Sequence, residues 1–132
     1  MNTVSKDKRT FHWKRLTASH QFALQGIRLA MDEPNFRFHM AAAVIAILMG
    51  MWLSLTKMEW VLVLFLVFGM FILEIINTAI EKTVDLVTEE YHPLAKQAKD
   101  LAAGAVLLYA FLSVIVGLII FIPKLMELFL KI

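Results

Sequence analysis

Four side chains near the middle of the sequence have the types and spacing of a cation or phosphate site. Glu74, Asn77, Glu81 and Asp85 stand at i, i+3, i+7 and i+11. On a helix turning about 100° per residue they fall within roughly 80° of one another around the axis. Residues 60–73 just before them carry no charge, so Glu74 enters while the helix is still apolar enough to lie in hydrocarbon. An ionisable group at that depth marks a functional site by default. The structural alternative is a polar seam that glues helices together through hydrogen bonds worth roughly 1 kcal/mol each in a bilayer. Three carboxylates and an amide carry more negative charge than such a seam needs. Oxygen ligands of this kind suit Mg²⁺, which commonly takes one or two carboxylates plus substrate phosphates.

These groups need elements that carry them to a water–lipid boundary. Hydrophobic residues make up 60% of the 132-residue chain and the mean hydropathy is +0.72, so much of the apolar surface must face lipid rather than a private core. The expected fold is all-α: a single integral membrane domain with an N-terminal amphipathic surface helix and three transmembrane helices. The absence of cysteine excludes a disulfide framework, a thiolate metal site and a thiol nucleophile.

Residues 1–10 are polar and basic and lack an apolar run before a small-residue cleavage site, so they read as a tail rather than a signal peptide. Over 11–32, Leu16, Ala23, Leu24, Ile27 and Met31 recur at helical spacing with Gln21, Gln25 and Arg28 on another side, which predicts a helix lying in the headgroup region or packed on the bundle. Asp32-Glu33-Pro34 stops it and starts the first crossing, expected over 34–56. Trp52 and Trp60 flank a short turn, as an aromatic belt does. The second crossing, over 59–88, is longer than hydrocarbon is thick, so its end carries Glu81 and Asp85 into water. Thr88 to Pro93 breaks it, and the third crossing is expected over 93–122, stopped by Pro123.

Positive charge orients the chain. Lys6, Lys8, Arg9, Lys14, Arg15, Arg28 and Arg37 precede or begin the first crossing, and Lys82, Lys96 and Lys99 flank the second connection; Lys57, Lys124 and Lys131 lie on the other side. The positive-inside rule then predicts a cytoplasmic N-terminus and a cytoplasmic 81–100 connection. Glu33, Glu74, Glu81, Asp85, Lys99 and Asp100 would converge on that face.

Carboxylates and a lysine at a water–lipid boundary fit phosphoryl transfer from a nucleotide to a lipid alcohol. Metal on two carboxylates would offset phosphate charge, Lys99 would hold a phosphate oxygen, and the deepest carboxylate, Glu74, would take the hydroxyl proton. The sequence has neither a Walker-type phosphate loop nor protein-kinase signatures. The residue pattern by itself leaves a small cation-coupled transporter as the competing class. Against it, residues 41–51, 61–71 and 106–122 offer nothing polar beyond Tyr109 and Ser113, and an ion pathway needs polar groups at the midplane.

The run Glu74-Ile-Ile-Asn77-Thr78-Ala79-Ile80-Glu81-Lys-Thr-Val-Asp85, followed by Ala95-Lys96-Gln97-Ala98-Lys99-Asp100-Leu-Ala-Ala-Gly-Ala105-Val106, resembles the signature of the prokaryotic diacylglycerol kinase family. Glu33-Pro-Asn35-Phe-Arg37-Phe-His39 and Tyr91-His92-Pro93-Leu94 make it most similar to the Gram-positive branch, whose members phosphorylate undecaprenol. The resemblance covers about residues 14–124. It implies a homotrimer in a bacterial cell membrane, with active sites shared between protomers, ATP as phosphoryl donor, Mg²⁺ as cofactor and no nucleic-acid partner. Carried onto matching positions, Glu74 is the catalytic base, and Glu33 (or the adjacent Asp32) and Glu81 hold the metal. Asn77, Lys99 and Asp100 hold the nucleotide with Glu90, Tyr91 and His92, Arg15 lies near the phosphates or lipid, and Asp85 is structural or supports the residues that touch the ligands. Ala103 stands where some diacylglycerol-specific members carry a hydroxyl residue, so their lipid contacts do not carry over directly. The acceptor implied is undecaprenol, with diacylglycerol as the alternative.

Overall fold

The computed structural model of the chain describes residues 3–88 and 90–130. They form four helices: α1 (Thr3–Met31), α2 (Pro34–Trp52), α3 (Lys57–Val87) and α4 (Pro93–Leu130). The last three are each long and apolar enough to cross a membrane.

Local chemistry explains the boundaries. Pro34 occupies the first turn of α2, where its missing N–H would have had no intrahelical partner. Glu33 sits at the N-cap in extended conformation, and its side chain makes no bond to the helix end, which leaves its carboxylate available elsewhere. Arg37 ties the α1–α2 joint, donating from Nε to the Met31 carbonyl at 2.8 Å. At the opposite end, Thr56 and Glu59 form a reciprocal capping box, with the Thr56 N–H donating to Glu59 Oε2 at 2.7 Å. This box starts α3 at Lys57, earlier than the expected residue 59.

Two expected limits are corrected. The tail expected over 1–10 is helical from Thr3 onward, because no glycine or proline interrupts the run and Lys and Arg favour helix. Nor does Pro123 end the third long helix, since α4 continues to Leu130. An interior proline forfeits one backbone bond, but the segment is held on both sides of it. Ile120 and Phe121 pack with Leu55 and Val63, and Lys124 Nζ lies 3.1 Å from Glu59 Oε2.

α3 is the central element, packing on both α2 and α4. Midway along it the Tyr109 hydroxyl donates to the Phe65 carbonyl at 2.9 Å, and a Cβ at Gly69 would overlap that hydroxyl. Glycine is therefore required for this close approach. Much of the remaining apolar surface is uncovered, including Phe65, Phe68, Leu108 and Ile119. Helices apolar on every side are what lipid or further copies of the chain would cover. On α1, Phe22, Leu24, Ile27 and Leu29 are likewise exposed.

Candidate active site

The polar stripe on α3 does not point uniformly at water. Glu74 is only 2% exposed and Asn77 5%, Glu81 is half-buried, and Asp85 is exposed. The wall that covers Glu74 and Asn77 comes from the start of α2. The Phe36 ring packs on Phe71 with centroids 5.1 Å apart, and this contact seats the first turns of α2 against α3. Asn35 then lies within hydrogen-bonding reach of the Glu74 carboxylate, and His39, Glu81 and Glu33 are its charged or chargeable neighbours.

One turn along, Asn77 Nδ2 donates to Glu81 Oε1 at 2.9 Å. Asn77 Oδ1 is buried and has no partner. A buried acceptor without a donor is unfavourable in a finished core and calls for a water, a ligand or an ion. Glu33 Oε1 pairs with Lys82 Nζ at 2.8 Å. Glu33, Glu74, Asn77 and Glu81 thus meet at the α1–α2 joint. Among the described residues no three His, Asp or Glu side chains form a cage able to hold a metal by themselves.

The other expected site residues come from the following turn of α3, the α3–α4 connection, the start of α4, and α1. Lys99 reaches back from α4 to pair with Asp85, joining the end of α3 to the start of α4. Asp100 pairs with Lys96 on its own helix. Glu90, Tyr91 and His92 lie exposed on the connection between α3 and α4, with Tyr91 80% accessible. The Glu90 N–H bonds to the Thr88 hydroxyl, and His92 Nδ1 accepts from the Leu94 N–H. None of these bonds reaches Glu74, Asn77 or Glu81. Arg15 lies on the exposed surface of α1, where its carbonyl accepts from the Ser19 hydroxyl at 2.9 Å.

Three residues of the cluster had no site role in the sequence reading: Asn35, His39 and Lys82. Asn35 and His39 are one turn apart at the start of α2, and that i, i+4 polar pair on an apolar helix was the available signal.

The architecture defines a class first: a three-span helical membrane protein whose buried carboxylate and half-satisfied amide meet at one end of the bundle. Its sequence matches the prokaryotic diacylglycerol kinase family over residues 21–121. An undecaprenol kinase of Bacillus subtilis (strain 168) is 50% identical over 122 residues, covering 92% of this chain and 98% of its own. A diacylglycerol kinase of Synechocystis sp. is 42% identical, covering 86% of this chain and 66% of its own. A diacylglycerol kinase of Escherichia coli (strain K12) is 34% identical, covering 80% of this chain and 88% of its own. The chain belongs to the prokaryotic diacylglycerol kinase family.

Proposed function

We propose that this protein is an undecaprenol kinase, transferring the γ-phosphoryl group of ATP to the primary hydroxyl of a polyprenol at the cytoplasmic membrane face. The observation that carries the chemistry is Glu74, a carboxylate buried in an apolar bundle, with Asn35 beside it. The choice of lipid follows the near full-length similarity to the Bacillus subtilis undecaprenol kinase.

Glu74 accepts the proton of the lipid hydroxyl as the alcohol oxygen bonds to the γ-phosphorus and the bond to the ADP oxygen breaks. Glu33 and Glu81 are the candidate Mg²⁺ ligands. The donor set fits: the ion commonly takes few protein carboxylates and keeps water and phosphate oxygens, and the unpartnered Asn77 Oδ1 beside Glu81 offers a further oxygen. When bound, Mg²⁺ would offset the phosphate charge. Glu33 must first part from Lys82. Asn77, Lys99, Asp100, Glu90, Tyr91 and His92 are read as the nucleotide side of the site, with Arg15 near phosphate or lipid.

These groups come from α1, the N-cap of α2, α3, α4 and the connection between α3 and α4, and α3 and α4 expose long apolar faces. A homotrimer that packs those faces would let neighbouring protomers complete each site. α1, with its exposed apolar residues and Gln21, Gln25 and Arg28 on another side, would lie in the headgroup layer.

Diacylglycerol is the second reading of the acceptor, favoured by the relatives at 42% and 34% identity. The test is purified protein in mixed micelles with Mg²⁺ and labelled ATP, offered undecaprenol and diacylglycerol separately and in competition, with Glu74→Gln as control. Preferential labelling of undecaprenol that is lost in the variant supports the reading. Preference for diacylglycerol changes the acceptor and keeps the chemistry; no lipid labelling sinks the kinase assignment.

A further inference from the structure

Where α2, α3 and α4 meet, a cavity of about 230 Å³ is lined by His39, Ala42, Ala46, Met70, Ser113 and Gly117 among others. Its walls are almost wholly hydrocarbon. Of its two polar side chains, Ser113 already donates its hydroxyl to the Tyr109 carbonyl at 2.8 Å and keeps only acceptor capacity, so the His39 imidazole is the one side chain there that can still donate. A space so lined suits neither an ion nor a nucleotide. It is also open on the α4 side, since a Cβ added at Gly117 would meet nothing within 4 Å.

The cavity continues the candidate site. Met70 stands one helical turn before Glu74 on α3, and His39 both lines the cavity and neighbours the Glu74 carboxylate. A molecule filling the space would therefore have its apolar body among Ala42, Ala46, Met70 and Gly117 and its polar end at His39 and Glu74. The volume lies below the roughly 300–1,000 Å³ of pockets that enclose whole small ligands. That is room for a short segment of one hydrocarbon chain and too little for two chains side by side.

We propose that this cavity seats the hydroxyl-proximal segment of a single hydrocarbon chain, directing the alcohol past His39 to Glu74 and so favouring single-chain over two-chain acceptors. The proposal rests on the lipid-kinase reading above and adds to it where the chain lies and what selects it.

Two measurements test it. The first is the Gly117→Leu variant, which fills the cavity from α4 into open space, with Ala46→Leu filling it from α2. The expected result is a KM for a single-chain prenol raised by about tenfold or more, a smaller effect on diacylglycerol, and unchanged ATP KM and oligomer size. An unchanged prenol KM overturns the proposal. So does a change of oligomer size, which would assign the cavity to contact between copies. The second uses the unmodified protein and a prenol carrying a diazirine a few carbons from its hydroxyl. Crosslinks to Ala42, Ala46 or Gly117, suppressed by unlabelled prenol, support the site, and crosslinks confined to other surfaces overturn it. Labelling needs no turnover, so the two failures are separable. A protein that crosslinks at the cavity yet phosphorylates no alcohol loses the kinase reading; one that phosphorylates undecaprenol but crosslinks elsewhere loses the chain site.

Discussion

Asn77 donates from Nδ2 to Glu81 Oε1 at 2.9 Å across one turn of α3, and that bond decides which end of the amide is left over. The reverse orientation would set the amide oxygen against a carboxylate. Asn77 Oδ1 therefore remains buried and unpartnered.

If Asn77 were only glue, an apolar residue of similar size would lose one modest bond and also relieve the orphaned oxygen. Asn77→Leu is thus expected to change stability in detergent by less than about 1 kcal/mol. Lipid phosphorylation should fall by about 100-fold or more, as when one preorganised polar group is removed from a reacting site. Thermal unfolding and steady-state kinetics on the same preparation check both halves.

Glu74→Gln keeps the shape and a carbonyl oxygen beside Asn35 while removing the carboxylate that is proposed as the base. The expected loss is about 10²–10⁴-fold in the phosphoryl-transfer step, with nucleotide binding retained. Single-turnover transfer and equilibrium nucleotide binding separate these effects. Loss of both in equal measure would mark Glu74 as structural.

The Glu33–Lys82 pair makes the metal assignment testable from its competitor. If Glu33 holds Mg²⁺ during turnover, Lys82→Met removes a rival for the same carboxylate, and the Mg²⁺ concentration giving half-maximal activity should fall by about threefold or more. Stability should hardly change, since Lys82 is largely solvated. A higher Mg²⁺ requirement would instead make Lys82 part of the site. Mg²⁺ titrations of both proteins at fixed ATP decide.

Gly69→Ala places a methyl group against the Tyr109 hydroxyl and ring. The clash and the disturbed bond to Phe65 should lower stability by about 1–3 kcal/mol. Tyr109→Ala in the same chain should abolish the penalty of the Gly69 change, because the ring is gone. Denaturation of the two single variants and the double variant measures that coupling.

The membrane class and the three crossings are legible in the sequence because they follow from local composition. A helix of about 20 apolar residues has few options but to span, and the 3.6-residue repeat places Glu74, Asn77 and Glu81 on one stripe in any fold that keeps that helix. Helix ends were less legible where they rest on distant partners. Pro123 reads locally as a stop, yet Ile120 and Phe121 packing and the Lys124–Glu59 pair carry α4 past it.

What the chain determined by itself is therefore the set of apolar helices and the polar stripe on the second crossing. Only the tertiary structure decided what that stripe meets. The Phe36–Phe71 contact brings Asn35 and His39 over Glu74, the α1–α2 joint places Glu33 against Lys82, and the gap between three helices opens the cavity at Gly117. These are contacts between elements distant in sequence. Helical periodicity sets which residues share a face, whereas the facing partner is chosen by how whole helices pack.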